Sequence, residues 1–338
     1  MTDRCDAASN AIEIQSSHGT SRQEVAARMS LVESSVQFLF VALSVASVYL
    51  LVALGLSIVF GSLQFVNMAH GALYLIGAYV GLIVGFDVGF GGLIDRYGLA
   101  PLGLDLGFLA ALVVTPIVVF VAGIAMERLL ANPLYDRPLL DQLLVTFGVL
   151  LIFQEGFNLV FGRTGFNYAR PGWASGPVLI PGIGSVSRWR IYVVLLALVF
   201  LGVLFAFYKY TDYGLAVRAG TEDTEMTELL GIRIGRPFLL IFAIGAAYAG
   251  LAGMLGGSLF GVNAGMGFGN IIPALVIVIM GGVGSIKGTT IGALLAGFVF
   301  AAVTQVWPSM ATASIYALAI VVLTIRPSGI YPTGEIGQ

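Results

Sequence analysis

The chain has 338 residues, of which 58% are hydrophobic and 10% are charged, whereas a soluble domain carries roughly 25% charged residues. The net charge of -2 and the lack of a basic run argue against a nucleic-acid partner. The single cysteine excludes an intrachain disulfide and a cysteine-based metal cluster. Together with 45 glycines, which are typical of closely packed membrane helices, this composition indicates an integral membrane protein.

The first 35 residues are polar and mixed in charge, with no apolar core of a signal peptide near the start. We expect a polar tail at residues 1–35, a transmembrane domain at 36–330 and a short C-terminal tail at 331–338.

Nine apolar stretches follow the tail, each close to the ~20 residues that a spanning helix needs. They lie at about 37–60, 66–86, 107–126, 142–161, 190–208, 238–260, 270–286, 289–307 and 310–325. We therefore predict an all-α polytopic bundle of about 8–10 transmembrane segments. Nine full spans would place the N-terminal tail outside the cell, which is unexpected for a long tail without an export signal. We therefore expect one irregular segment in 37–86 or 270–307.

Two glycine-rich stretches stand in corresponding halves of the chain, Gly61–Gly77 (GSLQFVNMAHGALYLIG) and Gly281–Gly297 (GGVGSIKGTTIGALLAG). Paired interrupted helices expose backbone groups where they line a cavity, which favours a translocation path. Close packing of small-residue helices would explain the same glycines without any substrate. The matched positions favour the path.

Polar residues at membrane depth add to this pattern. Asn67 and His70 lie within the first stretch, Gly61–Gly77. A lone histidine at that depth is more typical of a stabilised helix break than of a ligand site. Glu155 needs a partner or water, and Arg163 is close enough in sequence to provide one. The expected pathway residues are Asn67, His70, Gly71, Gln154, Glu155, Gly281, Gly282 and Gly284.

The link 162–190 is rich in Pro, Gly and aromatic residues, which predicts an ordered surface loop with a small hairpin. Its four arginines, Arg163, Arg170, Arg188 and Arg190, can pair with acidic residues of a soluble partner or with lipid head groups. If the charged link 209–237 is cytoplasmic, the inner links carry the larger share of lysine and arginine. The three tryptophans, Trp173, Trp189 and Trp307, then all fall at the outer interface.

The segment Lys209–Pro237 is the longest strongly charged link and contains a predicted helical core, Glu222–Leu230. In that helix Met226, Leu229 and Leu230 share one face. Glu222 and Asp223 occupy the first turn, and Gly231 ends the helix. Either this face docks a partner or the helix is a solvated connector.

No active site is predicted from the sequence. It contains no P-loop, no nucleophile set with its sequence context and no metal-ligand spacing, so we expect neither catalysis nor a cofactor in this chain.

Three segments together resemble the permease subunits of branched-chain amino-acid ABC transporters. They are Gly55–Gly81 with its Asn67-x-Ala69-His70-Gly71 core, Gly214–Ile232, and Gly281–Gly288 followed by the ending Arg326–Ile330. The resemblance covers residues 37–332. It implies a multi-pass inner-membrane permease domain at 36–330, with a cytoplasmic coupling loop at 209–237. The coupling residues so implied are Gly214, Arg218, Ala219, Glu222, Asp223, Met226, Leu229, Leu230 and Gly231.

The resemblance also implies partners. Two cytoplasmic ABC ATPases would bind ATP-Mg, a second related permease chain would complete the pathway as a heterodimer, and an extracytoplasmic binding protein would deliver branched-chain or other small amino acids. Permeases for urea or short amides look alike, so the substrate stays open. A passive small-solute channel would have no use for a docking helix, and a secondary transporter would usually show more embedded acidic residues than Glu155.

Overall fold

The apolar runs of the sequence form helices, since a helix pairs its backbone polar groups within one segment and hydrocarbon offers no other partner. The computed structural model describes residues 3–98, 102–168, 170–180 and 184–331, with side chains from Glu33 onward. The predicted division into tail, membrane domain and C-terminal tail stays a prediction, and residues 1, 2 and 332–338 lie outside the described part of the chain.

The first half of the chain contains five helices and a small hairpin. In order these are α1 (Asp3–Leu63), α2 (His70–Gly85), α3 (Gly92–Arg96), α4 (Phe108–Met126), α5 (Leu139–Phe161), β1 (Pro177–Ile180) and β2 (Gly184–Ser187). The strands pair antiparallel, as the composition of link 162–190 predicted. A π-helical turn, Glu127–Ala131, and a 3-10 turn, Asn132–Leu134, prolong α4 beyond the predicted span at 107–126.

Seven helices form the second half. They are α6 (Arg188–Tyr210), α7 (Asp212–Glu222), α8 (Thr224–Leu229), α9 (Gly235–Phe260), α10 (Met266–Gly281), α11 (Ile286–Val306) and α12 (Ala311–Ile325).

Within the described residues, seven helices are long and apolar enough to cross a membrane, and α2 and α10 are two shorter apolar helices of 16 residues each. The all-α polytopic fold is thereby confirmed. The sequence predicted one irregular segment in 37–86 or 270–307, whereas both ranges contain a break and a short helix. The breaks lie at residues 64–69 and 282–285.

The core of the bundle is built from α2, α9 and the spanning part of α1, Glu33–Leu63, whose side chains are largely buried. The helices α4, α5, α6 and α12 surround it and leave most of their side chains at least partly exposed. Since hydrocarbon solvates apolar side chains, this arrangement suits a bundle whose periphery faces lipid or another membrane chain.

The two ends of the bundle are distinct, and we name them from the links they carry. The outer end carries the hairpin of link 162–190, and the inner end carries α7 and α8. At the outer end Gln37 Nε2 donates to Ser185 O over 3.2 Å, and Glu33 Oε1 accepts from Ser185 N over 3.2 Å. The spanning part of α1 therefore begins at the outer end.

The three tryptophans differ in exposure. Trp173 and Trp307 are exposed, as interfacial anchors would be, but Trp189 is buried. Its indole N–H donates to Ser258 Oγ over 2.9 Å, and its ring packs edge-on against Phe108. Trp189 thus fastens α6 to α9 and α4 within the protein.

Candidate functional site

The break between α1 and α2 is held by side chains of α5. Val66 N donates to Gln142 Oε1 over 3.4 Å, and Met68 N donates to Thr146 Oγ1 over 3.1 Å. Gln142 and Thr146 are themselves buried. Backbone groups that a continuous helix would pair internally are satisfied here from a neighbouring helix, as a broken membrane helix requires.

The second break is held by glycines and by the C-terminal segment. Gly282 and Gly284 have φ of +107° and +78°, a region that side-chain-bearing residues rarely adopt. Ser285 caps α11 by accepting from Gly288 N over 3.1 Å. Tyr331 N donates to Gly281 O over 3.0 Å, so the chain end covers a carbonyl left open by the end of α10.

The structure brings the two breaks together at the inner end. Gly61 in the last turn of α1 lies directly on the backbone of Gly284, and Thr289 Oγ1 donates to Ser57 Oγ over 2.9 Å. The short helices also meet, because a Cβ added at Gly71 would lie 2.8 Å from Gly267 O. The glycines of both stretches therefore serve close packing between corresponding halves, whatever further role they have.

The predicted pathway residues fall into two groups. The first lies inside the chain: Asn67 and His70 are each 1% exposed, and Gly71, Gly281 and Gly282 are buried. Asn67 Oδ1 and Nδ2 and His70 Nε2 have no hydrogen-bond partner among the described residues. The structural role expected for His70 and the pathway role of this group stay predictions.

The second group lies on α5, which is mostly exposed. The Glu155 side chain is 66% exposed and pairs with Arg163 at 3.3 Å, as its position in the sequence suggested. Asn158 Nδ2 also donates to Glu155 Oε2 over 3.1 Å. Gln154 is half-buried beside them, and its Oε1 lacks a partner in the described part of the chain.

The charged segment 209–237 is folded as two helices instead of the single helix predicted at Glu222–Leu230. Glu222 ends α7, and the chain turns at Asp223, whose φ is -151°. Asp223 Oδ1 accepts from Met226 N over 2.8 Å and so caps α8, an alternative that short acidic side chains offer to helix continuation. Gly231, with φ of +85°, follows the C-cap residue Leu230 and ends the helix as predicted.

The apolar face of α8 points away from the protein. Met226, Leu229 and Leu230 are 56%, 76% and 75% exposed, while Thr227 on the other side is buried. Three large apolar side chains exposed outside a spanning helix form a patch of the kind that binds another protein.

Comparison with known proteins identifies the family of this chain. A family model described as the permease component of branched-chain amino acid transport systems matches residues 38–325. The chain is 31% identical over 310 residues to the high-affinity branched-chain amino acid transport permease LivH of Escherichia coli K12, covering 89% of this chain and 96% of LivH. It is 33% identical over 316 residues to BraD of Pseudomonas aeruginosa, covering 87% of this chain and 94% of BraD.

The chain belongs to this permease family. A more distant member, a probable branched-chain amino acid permease of Methanocaldococcus jannaschii, is 26% identical over 257 residues, covering 75% of this chain and 76% of that protein. No solved structure matches the chain.

Membership confirms the resemblance noted from the sequence. Like its relatives, the chain is a transport permease subunit, and its apolar helices make it a multi-pass protein of the inner membrane. The passive channel and the secondary transporter are thereby disfavoured.

Sequence reasoning missed three residues of this permease. Gln142 and Thr146 hold the first break, and their spacing of four in an apolar span was the available signal. Glu127 is buried and accepts from the Tyr135 hydroxyl over 3.2 Å. Burial, with Glu127 beside it, raises the pKa of Tyr135, so the phenol stays a protonated donor.

Replacing Thr146 with valine is expected to loosen the first break. The Met68 N–H would lose its acceptor inside the protein, which costs about 1–3 kcal/mol of unfolding free energy. Thermal unfolding in detergent measures the loss. Thr324→Val is the control, since exposed Thr324 bonds only within its own helix. Equal melting temperatures for the two variants would show that Thr146 does not hold the break.

Proposed function

We propose that this permease imports branched-chain amino acids, driven by two cytoplasmic ABC ATPases that bind ATP-Mg. In this proposal a second related permease chain completes the pathway, and an extracytoplasmic binding protein delivers the substrate. The observation that carries the proposal is the exposed apolar face of α8 at the inner end, in a chain of this family.

The α8 surface has the properties of a docking element. It is short and held in place. Asp223 caps its start, and Thr227 is the side chain by which the helix is buried against the rest of the chain. At its end Gly231 N donates to Glu228 O over 2.9 Å. Thr224, Glu225 and Glu228 are exposed as well, so the helix presents polar side chains beside the apolar face formed by Met226, Leu229 and Leu230. Seating that face in a groove of an ATPase would remove about three large side chains from water, each contributing roughly 1.5–3 kcal/mol when fully buried.

The helices beside α8 can transmit a movement into the membrane. Thr211 caps α7 at the end of α6, and the Gly214 Cα packs so closely that an added Cβ would lie 2.5 Å from Tyr208 O. On the other side Gly220 of α7 packs against Ile234, next to the start of α9. Displacement of the α7–α8 pair by closing ATPases would therefore tilt α6 and α9 as rigid bodies.

The polar face of α5 supports the second permease chain. Gln154, Glu155 and Asn158 stand on a spanning helix that is largely uncovered. Polar side chains at membrane depth are costly against lipid and normally face a bundle interior or water. We infer that α5 faces the substrate path or the partner permease.

Reconstitution tests the proposal directly. The complex would be purified in mild detergent from its native cell, its subunits identified by mass spectrometry, and uptake of labelled leucine and of urea compared in liposomes containing ATP. Recovery of two ATPases and a second permease, with leucine uptake that needs ATP and the binding protein, is the expected result. Urea uptake under the same conditions would favour the alternative substrate class, and uptake without ATP would exclude the proposal.

The cap of α8 gives a second test. Asp223→Ala removes the acceptor of the Met226 N–H and is expected to cost about 1 kcal/mol of helix stability. Since α8 would then present its face less often, leucine uptake should fall several-fold while the bundle keeps its melting temperature. Asp223→Asn retains a capping side chain and should retain most uptake. Equal uptake by both variants would mean that α8 needs no cap to function.

A further inference from the structure

The outer end contains a cleft whose role nothing above assigns. It has a volume of about 400 Å³ and lies between the start of the spanning part of α1, the hairpin and the start of α6. Arg170 and Arg190 line it together with Gln37 and Ser187, and Phe40 and Val41 of the spanning part of α1 form an apolar wall. The volume is within the range of small ligand sites.

The four arginines of link 162–190 differ in their partners. Arg163 pairs with Glu155, and Arg188 donates to Trp173 O over 3.2 Å. Arg190 donates through Nη1 to Ser44 Oγ, which leaves four of its five N–H donors without an acceptor among the described residues. Neither Arg190 nor Arg170 forms an ion pair within that part of the chain. The two free positive charges of the link thus share one cleft.

The carboxylate of Glu33 lies beside the cleft, because it contacts Ser185, one of the residues that line it. Glu33 Oε1 accepts from Ser185 N over 3.2 Å and lies within 3.4 Å of Ser185 Oγ. Gln37 bonds to the same serine. The two arginines outnumber this carboxylate, so these three side chains carry a net positive charge, and an anion bound in the cleft would relieve the repulsion between the two guanidinium groups.

The depth of the cleft indicates the source of the anion. Arg190 lies two residues after the start of spanning helix α6. Exposed Trp173 packs against Tyr192 of that helix, with ring centroids 5.1 Å apart, and such aromatic pairs sit at the head-group level of a bilayer. An anionic group next to an apolar wall at that level matches a phospholipid phosphate.

We propose that this cleft binds the phosphodiester head group of an anionic phospholipid of the outer leaflet. The phosphate lies between Arg170 and Arg190, and the lipid's apolar part follows Phe40 and Val41 along α1. Arginine suits this task because its planar fork contacts two phosphate oxygens at once.

Native mass spectrometry of the full-length permease in detergent tests this site. The delipidated protein is titrated with dioleoyl phosphatidylglycerol, with dioleoyl phosphatidylcholine and with inorganic phosphate. We expect phosphatidylglycerol to bind with preference over the other two. Arg170→Gln should weaken it about fivefold, since each basic residue at a charged lipid surface contributes about 1 kcal/mol. Arg163→Gln removes an arginine that is already paired and is the control.

Arg170 is exposed and has no partner in the described chain, so its replacement should leave the fold intact. Arg190→Lys is a second variant that retains the charge and removes the fork, and it too should weaken phosphatidylglycerol binding. Equal binding of the two lipids, equal effects of Arg170→Gln and Arg163→Gln, or inorganic phosphate binding as tightly as phosphatidylglycerol would each overturn the proposal. The proposal would also be overturned if Arg170→Gln bound phosphatidylglycerol normally but its uptake no longer responded to the binding protein. The cleft would then serve the soluble partner.

Discussion

Leu229→Asp and Leu230→Asp are each expected to abolish ATP-driven uptake while the membrane bundle stays folded. Both side chains are about three-quarters exposed in the permease alone, so a carboxylate there costs the isolated chain little. In the proposed complex the same carboxylate would be buried without a partner. That costs about 3–5 kcal/mol, which corresponds to at least a hundredfold loss of ATPase affinity.

The measurement is leucine uptake in liposomes together with retention of the ATPases during purification. Thr224→Asp is the matched control, because it adds the same charge to the opposite exposed side of α8, in the first turn where negative charge is tolerated. The proposed docking face would be wrong if both leucine variants kept their ATPases and full uptake, or if the control lost them equally.

Gly61→Val is expected to destabilise the folded chain strongly. The Cα of Gly61 lies against Gly284, where the two helix breaks meet, and the atoms that a new side chain would strike are backbone atoms. Because backbone on both sides must move, we expect a cost of about 3 kcal/mol or more. The thermal unfolding temperature in detergent should fall clearly, with less folded protein recovered.

Gly202→Val provides the comparison for this variant. Gly202 lies in the middle of spanning helix α6, is exposed, and has no heavy atom within 4 Å of an added Cβ. It should therefore unfold at nearly the wild-type temperature. Similar unfolding temperatures for the two variants would contradict the contact between the breaks.

Some of the coupling segment followed from local sequence and some did not. The spacing of Met226, Leu229 and Leu230 predicted one apolar face, and that face is present. The start of the helix was misplaced by two residues because acidic residues suit both a first turn and a cap. Asp223 acts as the cap, since its carboxylate reaches Met226 N while Ala219 O accepts from its own N–H.

The sequence by itself determined the helical membrane fold, the positions of its spans and both interrupted stretches, because these depend on apolar length and on glycine. It also predicted the pairing of Glu155 with Arg163. The tertiary structure decided which residues meet across the bundle: Gly61 with Gly284 and Met68 with Thr146. Such contacts join segments far apart in the chain, and no local pattern of hydrophobicity or charge specifies which neighbour a helix face will have.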